Sequence, residues 1–299
     1  MRALPGRPFW TTTVPTSPTD ALIELRQEID RIDLAMHRLL MERGEIIHRL
    51  IEVKRAQGGA CAFRPDREAQ MMRALVERHS GLLPLDAVEG VWRVIVSTFT
   101  YVQAPYTVHA DDSGGDAQMR DSARFHFGFT VPYAPHHGAL AVIAAVDASR
   151  GDLGVLRASG GSADGAWWLR LLGDAAPKII ARLPFVERPD HPAGLPVFVI
   201  AKPGAEAAAQ EIALFSVSLP RWTHDAPAAV AAAEGEILAS APVPGGHSLL
   251  IALPAAQDRS LSAALRKAGF SCAQIEPVGG HSPRFEMDEA RAGVFAPQP

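Results

Sequence analysis

The stretch LLMERGEIIHRLIEVK, residues 39–54, carries two cations that one helix would aim the same way. Leu39, Leu40, Ile46, Ile47, Leu50 and Val53 recur at helical spacing. Arg43 and Lys54 are eleven residues apart. On a helix that separation leaves them within about 20° of each other and about 16 Å apart, close to the apolar stripe. Four more polar residues sit oddly near apolar stripes: Arg26, Arg67, Glu68 and Gln103. Arg26 lies seventeen residues before Arg43, a turn of about 260° on a straight helix. One small ligand can hardly touch Arg26, Arg43 and Lys54 of the same helix. It can if Arg26 comes from a second copy running antiparallel.

The elements that position these groups read as helices. In SPTDALIELRQEID, Thr19 or Asp20 can cap the first one. Leu22, Leu25, Ile29, Ile32 and Met36 continue its stripe, no proline falls between Ala21 and Gln57, and Gly58 and Gly59 end it. A helix of roughly 35 residues and about 50 Å follows. It outruns a small domain, so it must pack on another chain or on a long partner helix. FRPDREAQMMRALVERHSG predicts a second helix, with Pro65 in its first turn and Gly81 at its end. LPLDAVEGVWRVIVSTFTYVQAP predicts a third, stopped by Pro105. Residues 20–104 therefore form an all-helical domain behind a disordered lead-in, 1–19.

Beyond Pro105 the pattern changes. Strand-like runs (FTVPYA, LGVLRA, KIIARLPF, LPVFVIAK) alternate with helical segments at 116–127, 136–147 and 164–172. This is the signature of a small α/β domain, 105–202. PGAEAAAQ, 203–210, reads as a linker. Residues 211–290 read strand, helix, strand, Pro244-Gly245-Gly246 turn, strand, helix, strand, the βαββαβ order of a ferredoxin-like module. A frayed tail, 291–299, follows.

The motif L-R-x-x-I-D-x-I-D, then E-R, K, R-E and a helix-ending Gln resembles the all-helical (AroQ-class) chorismate mutases over residues 22–103. The resemblance implies an interlocked homodimer, with the long helix as both site wall and dimer seam. It implies that Arg26 crosses from the partner chain, Arg43 binds a substrate carboxylate, and Lys54 meets the ether oxygen. Arg67 is the next arginine, Glu68 meets the ring hydroxyl, and Gln103 meets the ether oxygen. The reaction, chorismate to prephenate, needs no cofactor or metal, so none is expected. Arginine forks suit carboxylates, and prearranged donors meet charge on the breaking ether bond. Two positions depart from the pattern. Phe99, flanked by Thr98 and Thr100, stands where a small hydroxyl residue is usual, and Arg64 replaces an acidic residue.

The α/β part and tail follow the order of fused enzymes in which a prephenate dehydratase domain and an ACT-like regulatory module come after a mutase. Here Leu195-Pro196-Val197-Phe198 stands where Thr-Arg-Phe is expected, and the α/β part is short for that role. A reduced, non-dehydratase domain is the expectation. A bifunctional mutase–dehydratase, pyruvate elimination from isochorismate, and a non-catalytic chorismate-type acid sensor are the alternatives.

Other signals are weaker. A net charge of −4 gives no global basic field for nucleic acid or anionic lipid. The two cysteines, Cys61 and Cys272, form no metal motif and read as free thiols. No signal-peptide or membrane-span pattern is present, so the cytoplasm is expected. His109, His126, His136 and His137 read as packing or capping residues, RASGGSADG as a loop, and AWWLRLL as a core helix.

Overall fold

The computed structural model describes residues 17–56, 63–158, 164–187, 191–203, 210–255, 258–270 and 273–286. Cys61, Cys272, most of the 203–210 linker, the centre of RASGGSADG and the tail lie outside them. The chain divides into two compact units, one ending at Gln57 and one starting at Gly58.

The first unit is helix α1, Pro18–Ala56, 39 residues long, or about 58 Å. It starts earlier than the sequence pattern suggests. Ser17 is its cap: the Oγ accepts the Asp20 N–H at 3.2 Å. Proline at the first helical position lacks only an N–H that the helix would leave unpaired. The capping role expected of Thr19 or Asp20 therefore falls to Ser17.

The second unit begins with two helices, α2 (Pro65–Arg78) and α3 (Leu85–Gln103). The α/β part follows as β1 (Val108–Asp111), α4 (Asp116–Phe127), β2 (Tyr133–His136), α5 (Ala139–Ala148) and β3 (Leu153–Arg157). A five-residue 3-10 turn, Trp167–Leu171, leads to β4 (Lys178–Leu183), β5 (Val186–Glu187) and β6 (Val197–Ala201). The last part is β7 (Ile212–Leu219), α6 (Asp225–Ala232), β8 (Glu236–Val243), β9 (Gly246–Pro254), α7 (Asp258–Lys267), β10 (Gln274–His281) and β11 (Phe285–Glu286).

Three expectations shift. The strand predicted in FTVPYA lies later, at Tyr133–His136, because Gly128 (φ 70°) closes α4 and leaves Phe129 exposed. The helix predicted from 136 begins only at Ala139, after Gly138 (φ 108°). AWWLRLL is core, as expected, but forms a 3-10 turn rather than a longer helix. Trp168 is buried and its Nε1 donates to Ser248 Oγ at 2.8 Å.

Nine strands form one sheet in the order β2-β1-β3-β6-β4-β10-β7-β9-β8. β1 pairs parallel with β2 and β3, and β6 is antiparallel to β3 and β4. The run β10-β7-β9-β8 is antiparallel throughout, with α6 and α7 as crossovers, the split βαβ of the ferredoxin-like order. The α/β strands and the tail strands thus share one sheet. Their seam is the parallel contact of β10 with β4 at Gly279 and Ile179. A single apolar cluster crosses it, from Val142 and Val146 through Trp168, Ile179 and Phe198 to Leu214, Leu250 and Val278. A smaller cluster packs Met72 and Leu75 of α2 against Phe185 and Val186. The two-residue pair β5–β11 lies beside it as a separate ribbon.

The seam demands glycine. Gly279 has φ 130°, and an added Cβ would sit 2.0 Å from the Ile179 carbonyl oxygen. Gly279→Ala is expected to cost at least about 3 kcal/mol, since backbone cannot give way as a side-chain end does. Gly151→Ala, with nothing within 4 Å of the new methyl, serves as the control in the same urea titration. Equal stability of the two variants would contradict the seam.

Candidate active site

Helix α1 carries three of the six predicted site residues. Arg26 is exposed and Arg43 is half-buried. The Lys54 side chain lies outside the described residues. The apolar stripe of the same helix is exposed in the single chain: Leu25 56%, Ile29 56%, Met36 54% and Leu39 63%. An exposed stripe of this extent marks an interaction surface rather than ordinary surface scatter.

The other three lie in the second unit. Arg67 is exposed. Glu68, next to it on α2, points inward, where Arg93 Nη1 donates to its Oε2 at 2.8 Å. Burial pushes the Glu68 carboxyl up to about 6, against the charge and hydrogen bond of Arg93, which pull it down. Gln103 is half-buried at the end of α3, and its Nε2 donates to the Phe99 carbonyl at 3.0 Å. It lies ten residues beyond Arg93, about 15 Å along the axis and turned by about 80°. Arg93 thus engages Glu68 at one level of α3, and Gln103 stands at another.

Sequence reasoning missed Arg93 and Glu89. Arg93 is 5% exposed and Glu89 2%. Arg93 Nε donates to Glu89 Oε1 at 3.4 Å. The Glu89 carboxylate also accepts the Phe185 N–H at 3.2 Å and the Val186 N–H at 3.0 Å. The available signal was a stripe. Asp86, Glu89, Arg93, Ser97 and Thr100 recur every three or four residues and are all buried, while Val91, Val94 and Val102 face outward. Gly90 lets α4 close on this helix, since a Cβ there would meet the Phe125 ring at 2.9 Å.

A separate polar chain links β1 to β2. His109 Nε2 donates to Asp152 Oδ2 at 3.2 Å, which leaves its Nδ1 to accept from His136 Nε2 at 2.8 Å. Asp152 is itself fixed by the Thr107 N–H at 2.8 Å. Burial, then the neighbouring His109, lowers the His136 pKa, and Asp112 opposes them. Among the described residues no group of three or more His, Cys, Asp or Glu side chains is placed to hold a metal.

Residues 25–104 match the family model for chorismate mutase type II. The bifunctional chorismate mutase/prephenate dehydratase of Aquifex aeolicus (strain VF5) is 30% identical over 142 residues, covering 46% of this chain and 38% of that protein. The enzyme of the same name from Neisseria gonorrhoeae (strain ATCC 700825 / FA 1090) is 34% identical over 89 residues, 30% of this chain and 24% of that one. The chain therefore spans well under half the length of either relative. Prephenate dehydratase from Streptococcus mutans aligns in structure over 61% of this chain and 100% of its own, with a TM-score of 0.39 and 12% identity. That score is too low to assign a fold.

Burial also sets a stability limit at low pH. His281 is 4% exposed and donates Nδ1–H to the Ser282 carbonyl at 2.9 Å. Burial drops its pKa from 6.5 to about 4, assisted by Arg182 and Arg284 and opposed by the Ser282 bond. A base whose folded pKa is depressed adds no penalty above pH 6.5. It costs stability as the pH falls from there through about 4, in total about 3 kcal/mol. Buried His126 acts in the same direction. The thermal midpoint should fall across this window, and His281→Asn, which keeps a donor in place of Nδ1, should flatten the fall. An unchanged slope in that variant would remove His281 as its source.

Proposed function

We propose that the chain is a chorismate mutase, an isomerase that rearranges chorismate to prephenate in aromatic amino acid biosynthesis. It works as a homodimer in the cytoplasm. The match of residues 25–104 to the type II mutase family carries this reading. Among the described residues no helix is long and apolar enough to cross a membrane. The exposed stripe of α1 supports pairing with a second copy of the same helix.

The reaction is a single concerted step. The ether C–O bond breaks as a C–C bond forms, with no proton transferred and no nucleophile. Catalysis then consists of folding a flexible dianion into its reactive chair and stabilising charge on the ether oxygen. Arg43, Arg67 and the partner chain's Arg26 hold carboxylates, where a planar fork binds two oxygens at once. Lys54 and Gln103 donate to the ether oxygen, and Glu68 accepts from the ring hydroxyl. Gln103 is neutral at every pH, so its donation does not change across neutrality.

A second reading is favoured by the names of the two relatives, both bifunctional mutase/dehydratases. Against it stands Leu195-Pro196-Val197-Phe198 in place of Thr-Arg-Phe. Incubation of the pure chain with chorismate separates the readings. Prephenate should accumulate, phenylpyruvate would make the chain bifunctional, and unconsumed chorismate would make it a sensor.

Arg43→Ala should lower kcat/KM by about 10²–10³-fold, the usual loss for a prearranged donor; a loss under about tenfold would remove Arg43 from the site. The profile of kcat/KM should be level from pH 7 to 8 and fall as Glu68 takes a proton near pH 6. Mixing inactive Arg26→Ala and Arg43→Ala chains should restore about a quarter of the activity, because half of the randomly paired dimers then hold one intact site. No recovery after proven exchange would place all six residues in one chain.

A further inference from the structure

We infer that Arg93 is a positioning residue for Glu68: it fixes the direction of that carboxylate and, through Glu89, fastens it to the backbone of β5. The inference rests on the mutase reading above and extends it to two residues outside the predicted set.

The geometry is a relay of four bonds. Arg93 spends Nη1 on Glu68 Oε2 at 2.8 Å and Nε on Glu89 Oε1 at 3.4 Å. Glu89 then takes the Phe185 and Val186 N–H groups at 3.2 and 3.0 Å. A planar fork of five fixed donors spans two carboxylates with set directions; a lysine ammonium, a compact charge on a flexible stem, holds them less directionally. Every member is buried or nearly so, with the Arg93, Glu68 and Glu89 side chains 6%, 12% and 1% exposed. Two buried carboxylates without the cation between them would repel and lose their solvation.

Glu68, Arg93, Arg182 and Phe185 line one shallow cleft. The Glu68 carboxylate, 12% exposed, therefore borders this cleft while one of its oxygens is tied down. The other oxygen, Oε1, is left to accept a substrate hydroxyl. The charged residues that share the cleft with it are Arg93 of α3 and Arg182 of β4, and Glu89 stands behind Arg93. His126 of α4 stays neutral beside Arg93 through burial and that charge.

Because Glu89 is anchored to β5, α2 and α3 are registered against the α/β part at the level of a proposed catalytic carboxylate. A shift of β5 would move Arg93, and through it Glu68.

The test uses the full chain and chorismate, with Arg93→Met, Arg93→Lys, Glu68→Gln and the Arg93→Met/Glu68→Gln double variant, from pH 5 to 8.5. Arg93→Met should lower kcat/KM at least about tenfold and move the acid limb to higher pH, since Arg93 keeps Glu68 ionised. Arg93→Lys should recover part of both. On the Glu68→Gln background the same change should cost under about twofold, because the two residues act as one unit. An equal loss in both backgrounds, an unmoved limb, or a faster enzyme would overturn the inference.

Carboxyl NMR without substrate gives a second readout: the Glu68 signal, assigned by its loss in Glu68→Gln, should titrate higher in Arg93→Met. An unmoved titration also sinks the pairing. Wild-type chain that leaves chorismate intact sinks the mutase reading instead. If Arg93→Met does not fold, Arg93→Lys carries the same readouts.

Discussion

The buried carboxylate of Glu89 is the constraint around which the helical pair and the α/β part meet. A charge that is 2% exposed must be matched by donors or it costs several kcal/mol. The fold supplies three, two from the backbone of β5 and its preceding residue and one from Arg93. Arg93 is buried in its turn and needs the second carboxylate of Glu68. Satisfying one buried charge therefore fixes the orientation of a side chain on a different helix. Glu89 and Arg93 accordingly lie on the buried face of α3, while Val91, Val94 and Val102 are exposed in the single chain.

The same economy of contacts runs through the sheet. The ferredoxin-like tail could bury its own helices, and it does so through Val217, Leu249, Ile251, Leu261 and Leu265. Its opposite sheet face and its edge strand β10 are finished by β4 and the Trp168 cluster. A tail joined this way cannot shift without disturbing β4, and β4 contributes Arg182 to the cleft that Glu68 lines. The sheet gives a physical link between the tail and the cleft at Glu68.

The proposed chemistry asks little of the protein beyond placement. A concerted rearrangement gains from a held chair and from donors aimed at one oxygen. Cations on a long helix suit that task when a second helix completes the set. For the proposed site, one copy of α1 falls short because Arg26 and Arg43 stand about 100° and about 25 Å apart on it.

The sequence by itself determined most of the helices and the residue types of the proposed site. A 3.6-residue period without proline made α1, Pro65 and Pro105 bounded the next two helices, and Pro244-Gly245-Gly246 made the β8–β9 turn. These signals are local, so short stretches of chain suffice to read them. The order of Arg26, Arg43, Lys54, Arg67, Glu68 and Gln103 is legible there as a family resemblance, and it is the proposed site. Only the tertiary structure decided where Glu68 points, because Arg93 lies 25 residues away and its anchor at Phe185 lies 96 residues from Glu89. Only it joined β10 to β4 and His109 to Asp152, pairings set by packing across the chain and not by any neighbouring residue. Exposure told the same story in reverse. The apolar stripe of α1 was plain in the sequence, but that it lies open in a single chain is a property of the folded molecule alone.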